Sequence, residues 1–185
     1  MPIQILPLQS IDAESIAAVT SPFTCTETYQ VIYSDAPGAV SFELRLVPLA
    51  EPHVHHYDHF DDETIERYRG ILPEGFSFGA YDGGRLVGMI IAEKREWNNS
   101  LWVNEFHVAA AYRGQGVDRR LMEAAVEKAK AAHLRAIVCE TQNQNTPAIA
   151  VYRRLGFKME GVDISYYTNE DYPDRGIAVF MKRRL

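Results

Sequence analysis

The sequence is poor in cysteine: only Cys25 and Cys139 occur in 185 residues, and Cys139 follows Ile137 and Val138 in an apolar run. Two thiols so far apart make no disulfide framework, so buried, reduced cysteines are expected. Long apolar runs are missing too. The longest, Leu86 to Ala92, is cut off by Glu93, far below the ~18 residues of a membrane helix. Basic charge is also short, since 19 Lys and Arg against 25 Asp and Glu leave a net charge of −6. A binder of phosphate backbones needs the opposite surplus. Nucleic acid and membrane are therefore not expected partners, whereas a cationic ligand is well suited. Met1-Pro2-Ile3-Gln4-Ile5-Leu6-Pro7 has no basic segment ahead of its apolar residues, so no secretory leader is expected and the cytoplasm is the expected compartment. The sequence shows no internal repeat, low-complexity tract or domain linker.

What is present is a globular composition, 46% hydrophobic and 24% charged, which excludes disorder and fits one α/β domain over residues 1–185. Ala13 to Val19 reads as a short helix. Tyr29 to Tyr33 and Ser41 to Val47 read as strands, the second with Phe42, Leu44 and Leu46 on one face. Asp62 to Arg69 is helical in composition, stopped by Gly70 and Pro73. From Phe76 the pattern sharpens. Phe76 to Tyr81, the Asp82-Gly83-Gly84-Arg85 turn, Leu86 to Glu93 and Leu101 to Val108 make an antiparallel meander. Gln115 to Ala132 follows as a helix with Val117, Leu121, Ala124, Ala125 and Ala132 in an apolar stripe. Ala136 to Glu140 is a short interior strand. Pro147 to Leu155 is a helix closed by Gly156, and Ser165 to Tyr167 with Ile177 to Lys182 reads as a closing strand pair.

One junction carries chemistry. After the strand ending at Val108, the turn Arg113-Gly114-Gln115-Gly116 opens directly into an amphipathic helix at Val117 and Asp118. Unpaired N–H groups and about half a positive charge collect at such a helix start, and glycine lets the backbone approach an anion closely. This suits a pyrophosphate. The P-loop reading fails for want of Gly-Lys-Ser/Thr, and the dinucleotide fingerprint fails because Arg119 stands at its third glycine.

Arg113-Gly114-Gln115-Gly116-Val117, followed by Asn145-Thr146-Pro147-Ala148 and Tyr152-Arg153-Arg154-Leu155-Gly156-Phe157, resembles the paired motifs of the GNAT superfamily of N-acetyltransferases. The likeness is strong over residues 76–185 and weak before them; Asp118 departs from it, standing where a small residue is usual. Leu101-Trp102-Val103-Asn104-Glu105-Phe106-His107-Val108, Val138-Cys139-Glu140-Thr141-Gln142-Asn143 and Ser165-Tyr166-Tyr167-Thr168-Asn169 resemble the streptothricin acetyltransferases more particularly. The resemblance implies a mixed, mostly antiparallel central sheet flanked by helices and splayed between its fourth and fifth strands, where the strand ending at Val108 meets Ala136 to Glu140. It also implies acetyl-CoA as donor, with coenzyme A as product. Residues 76–185 would then hold the cofactor and residues 1–75 form a variable acceptor side. Phe106, His107 and Val108, the turn Arg113, Gly114, Gln115, Gly116, Val117 and Asp118, and Asn145 and Tyr152 fall on the cofactor-binding positions.

The expected reaction is direct acetyl transfer in a ternary complex to a primary amine of a small cationic acceptor, streptothricin being the named candidate. A lysine-like amine of pKa near 10.4 is neutral in about one molecule in 2,500 at pH 7, a cost of about 4.6 kcal/mol. Glu105 is the expected base through water, with His107 as the alternative. Strict alternation puts Leu101, Val103, Glu105 and His107 on one face, although a bulge in this strand would change that parity. Tyr152 is placed by resemblance as the acid for the leaving thiolate. Tyr166, Tyr167 and Asp171, together with Glu105, are expected to line the acceptor pocket. His53, His55, His56 and His59 beside Asp58, Asp61 and Asp62 match no zinc spacing, and a solvated acidic lip is expected there rather than a metal site. A homodimer is left open. So are two other functions: acetylation of a protein N-terminus or lysine, and a non-catalytic acyl-CoA-binding module motivated by Asp118.

Overall fold

A computed structural model describes residues 2–57, 60–173 and 175–185. Along them run β1 (Gln4–Pro7), α1 (Ala13–Val19), β2 (Phe23–Ala36), β3 (Ala39–His55), α2 (Asp62–Ile71), β4 (Phe78–Asp82), β5 (Arg85–Arg95), β6 (Ser100–Val108), α3 (Val117–Ala131), β7 (Ala136–Gln142), α4 (Thr146–Arg154), β8 (Lys158–Asp163) and β9 (Ala178–Arg184). They gather into two compact units. Met1–Pro22, His56–Cys139 and Arg183–Leu185 form the first, and Phe23–His55 with Glu140–Lys182 form the second.

In the first unit β1, β4, β5, β6 and the start of β7 lie side by side in that order, antiparallel up to β6 and parallel between β6 and β7. Helix α1 starts where the Asp12 carboxylate accepts the Ser15 N–H at 2.7 Å, and α2 starts where Asp61 accepts the Thr64 N–H at 2.8 Å; both are acidic N-caps. Their buried Ile16, Val19, Ile65, Tyr68 and Ile71 pack on Met89 and Ile91 of β5. Helix α3 lies against the other face of β5, for a Cβ on Gly88 would come within 3.2 Å of Leu121 Cδ1.

Register decides which way the middle of β6 points. Ile91 pairs with Glu105 and Ala92 with Val103, so Asn104 is an extra residue on β6. Paired residues share a face, so Glu105 and His107 side with Ile91 and Met89, toward α1 and α2. Leu101, Val103, Phe106 and Val108 side with Lys94, Ala92, Ile90 and Gly88. Strict alternation had grouped Glu105 and His107 with Leu101 and Val103; the bulge reverses that parity. The parallel ladder joins only Ser100–Val103 of β6 to Ala136–Cys139 of β7, while β6 runs on to Val108. This is the splay expected between the fourth and fifth core strands, in a mixed and mostly antiparallel sheet.

In the second unit β2 and β3 form a long hairpin, paired from Phe23 with His55 to Ala36 with Ala39, turning at Gly38 with φ +86. The remainder of β7 is followed in strand order by β9 and β8. The closing pair is β8 with β9, Lys158 opposite Lys182; the segment Ser165–Tyr167, expected as a strand, is a turn. Asn143 ties three segments together. It exchanges hydrogen bonds with the Tyr29 backbone (3.1 and 2.8 Å) and with the Ile177 backbone (2.8 Å each way).

Candidate active site

Glu105 is 7% exposed, and both its carboxylate oxygens are engaged. Tyr68 O–H donates to Oε1 at 2.5 Å, and His107 Nε2 lies 2.7 Å from Oε2. Burial and then the Glu105 charge push the Tyr68 phenol well above its ordinary pKa, so Tyr68 stays a donor across the working pH range. Arg67 stacks on the Tyr68 ring at 4.8 Å and reaches Asn104 Oδ1 at 3.4 Å. Tyr57 and Phe60 stand edge-on to His107, with ring centroids 4.8 and 6.1 Å away. The result is a carboxylate in low dielectric between one obligate donor and one imidazole, able to hold a cation and take up a proton.

The sequence points to Glu105 and His107 but not to Tyr68, which holds Glu105. Its signal was local: a tyrosine in step with Ile65 and Ile71 on a buried helix stripe needs somewhere to place its hydroxyl.

The glycine turn has the expected form. Gly114 and Gly116 have φ +73 and +76, and a Cβ on either would meet nothing within 4 Å. The conformation demands glycine, and the space beside it is open. Gly116 caps α3, whose first turn holds Asp118. Arg113 Nε donates to Val108 O at 3.1 Å, Gln115 Nε2 to Ala111 O at 2.8 Å, and Tyr112 O–H to Asp82 Oδ2 at 2.8 Å. These bonds fix the loop from behind. The backbone of β6 past Val103 has no β7 partner among the described residues. Open N–H groups at a helix start, positive φ and an unpaired strand edge fit a phosphorylated, amide-bearing arm.

In the second unit Asn145 caps α4, accepting the Ala148 N–H on Oδ1 at 3.2 Å; its amide N–H groups are the donors it can turn to a ligand. Tyr152 on α4 is 7% exposed, with its ring 5.5 Å from Phe157. Asp171 is 2% exposed and accepts from its own loop: Tyr167 N–H at 2.8 Å, Thr168 N–H at 3.0 Å and Thr168 O–H at 2.7 Å. Burial acts to raise its pKa, but the bonds from Thr168 and Tyr167 outweigh it and hold the carboxyl below its ordinary value. Tyr167 O–H donates to Glu140, and Tyr166 lies edge-on to Tyr167 and Phe180.

The described residues of the histidine-rich stretch fall on different elements. His53 and His55 lie on β3, His53 opposite Cys25 and His55 stacked on Phe23 at 4.9 Å. Asp61 caps α2 and Asp62 sits in its first turn, while Asp58 and His59 lie outside the described residues. Among the described residues no three His, Cys, Asp or Glu side chains gather as a metal site, and no helix is long and apolar enough to cross a membrane. Cys25 and Cys139 are both buried, and neither is joined in a disulfide.

A buried, hydrogen-bonded carboxylate and a glycine turn opening a helix suit acyl transfer from a phosphorylated donor, and comparison with known proteins agrees. The pattern of the acetyltransferase (GNAT) family matches residues 42–157, and the chain belongs to that family. It is an N-acetyltransferase. A streptothricin acetyltransferase of Streptomyces lavendulae is 32% identical over 84% of this chain and 82% of its own length. The crystal structure of a nourseothricin acetyltransferase superposes with a TM-score of 0.77 at 31% identity, covering 98% of both chains. A Bacillus anthracis protein solved with acetyl coenzyme A shares the fold at TM-score 0.72 and 20% identity, over the whole of both chains.

Proposed function

We propose that this chain transfers acetyl from acetyl-CoA directly, in a ternary complex, to a primary amine of a small cationic acceptor, and that streptothricin is such an acceptor. The observation that carries this reading is the buried Glu105 between Tyr68 and His107, in a chain that resembles streptothricin acetyltransferases over most of its length. Acetyl-CoA supplies an acetyl thioester whose thiolate, with a pKa near 8.5, is a fair leaving group. The backbone of Phe106, His107 and Val108, the turn Arg113 to Asp118, and Asn145 would hold it. Glu105 pairs with the acceptor ammonium and accepts its proton through water, with Tyr68 and His107 fixing the carboxylate. Tyr152 O–H gives a proton to the leaving sulfur. Tyr166 and Tyr167 contact the acceptor, and Asp171 shapes the loop that carries them. In this reading residues 1–185 act as one acetyltransferase domain in the cytoplasm.

Release of coenzyme A thiol, followed over a panel of streptothricin, polyamines, lysine and N-terminal peptides, tests it. Monoacetyl streptothricin as the preferred product is expected. Preference for peptides would move the function to protein acetylation, and binding of acetyl-CoA without thiol release on any amine would reduce the chain to a binding module.

A further inference from the structure

The β2–β3 hairpin has one engaged edge and one open edge. On β2, Tyr29 uses both its N–H and its C=O on Asn143, Tyr33 N–H donates to Tyr172 Oη at 3.4 Å, and Glu27 O accepts from Thr146 O–H at 3.4 Å. Tyr29 therefore makes no ladder bonds to its opposite number, Leu46. In an antiparallel ladder this alternates. The backbone groups of Val40, Phe42, Leu44 and Leu46 thus point away from β2, along an edge that no described strand pairs. Their side chains share one face, and Val40, Phe42 and Leu46 are 61%, 45% and 48% exposed. Glu43 and Arg45 flank Leu44 on the other face, with side chains 54% and 61% exposed. Bare, apolar edges of this kind invite another strand.

We propose that β3 pairs antiparallel with β3 of a second copy, across a two-fold axis at Leu44. Leu44 then faces Leu44 of the second copy, and Phe42 faces Leu46. Glu43 faces Arg45, and by symmetry the contact occurs twice. Glu43 and Arg45 fall at the non-hydrogen-bonded positions, where opposed side chains come closest. Charge selects the register. An axis moved one residue either way would set Glu43 against Glu43 or Arg45 against Arg45. Pro48, lacking an N–H, ends the ladder on the side beyond Leu46. The product is a four-stranded sheet, β2-β3-β3-β2, with a continuous row of Phe42, Leu44 and Leu46 side chains.

Sedimentation velocity tests this, with thermal melts confirming that each variant is folded. The full chain should dimerise reversibly. Glu43→Arg and Arg45→Glu, each alone, set like charges face to face and should raise the dimer dissociation constant about ten-fold or more. Mixing the two variants restores opposite charges in the heterodimer only, which should recover wild-type affinity. An Arg45–Glu43 contact within one strand could not produce that recovery. A wild-type chain that stays monomeric at hundreds of micromolar overturns the proposal. So does a dimer indifferent to the single reversals, or a mixture that fails to recover.

Discussion

Glu105 and Asp171 are both buried carboxylates, and the company each keeps is different. Asp171 takes its hydrogen bonds from its own loop, from the N–H groups of Tyr167 and Thr168 and the hydroxyl of Thr168. Such donors cannot leave without unfolding the loop. Glu105 takes its bonds from side chains, one of them on a helix far away in sequence, and one of those partners is an imidazole. The first arrangement shapes backbone; the second, in the proposed mechanism, shuttles a proton and rearranges around a cation. Burial alone does not mark a reactive carboxylate, but titratable partners do.

The sharpest way to break this contrast is to remove one charge at a time. Glu105→Gln should lower kcat about 10²–10³-fold, most at low pH, where the amine is hardest to deprotonate. Asp171→Asn should instead raise the acceptor KM several-fold with kcat largely kept, and lower Tm by a few degrees. The sign of its pH dependence follows from the depressed folded pKa. The Tm gap to wild type should be full above the unfolded value of 3.8 and close as pH falls through the folded value. Equal kcat losses in the two variants would erase the distinction. Tyr152→Phe should cost about 10²-fold in kcat with acetyl-CoA affinity unchanged, read by stopped turnover and calorimetry. Tyr68→Phe should cost about ten-fold in kcat/KM and move the acidic limb of the pH–rate profile upward, since the carboxylate loses a bond that favours its ionised form. A pure packing role for Tyr68 would leave that limb in place.

Asp118 gives the smallest effect. At ~6 Å and a dielectric of ~20, its charge would repel each pyrophosphate charge by about 2.8 kcal/mol before screening. Salt and side-chain rotation should remove most of that, so Asp118→Gly should tighten acetyl-CoA binding several-fold, more at low salt. Calorimetry at two salt concentrations decides; weaker binding by the variant would mean the carboxylate is used.

Legibility in the sequence followed locality. Helix α1 runs from Ala13 to Val19 as expected, and β7 and α4 are off by a residue or two. The hairpin was seen only in part, because β2 and β3 are two-sided and largely exposed, and two-sided strands carry little alternation. β1 was missed, a short edge strand that ends on Pro7 and begins two residues after Pro2. Ser165–Tyr167 looked like a strand from its tyrosines, but Asp171 captures the N–H of Tyr167 for a turn. In the site, residue types and the glycine turn were readable. The side of the sheet that Glu105 faces was not, since one inserted residue decides it, and Tyr68 reaches the site only through tertiary packing.

That inserted residue works like a frameshift in space. Upstream of Asn104, β6 is pinned on both sides, by β5 and by β7. Excising Asn104 would close the bulge and keep Glu105 opposite Ile91, so the downstream faces would be preserved. Excising Phe106 instead would set His107 opposite Ile90 and Val108 opposite Met89, turning His107 toward the face of Leu121 and Val108 toward that of Tyr68. The face that each residue of β6 presents thus hangs on a count, and a single-residue deletion in the regular ladder beyond Asn104 should be far more damaging than a substitution at the same position.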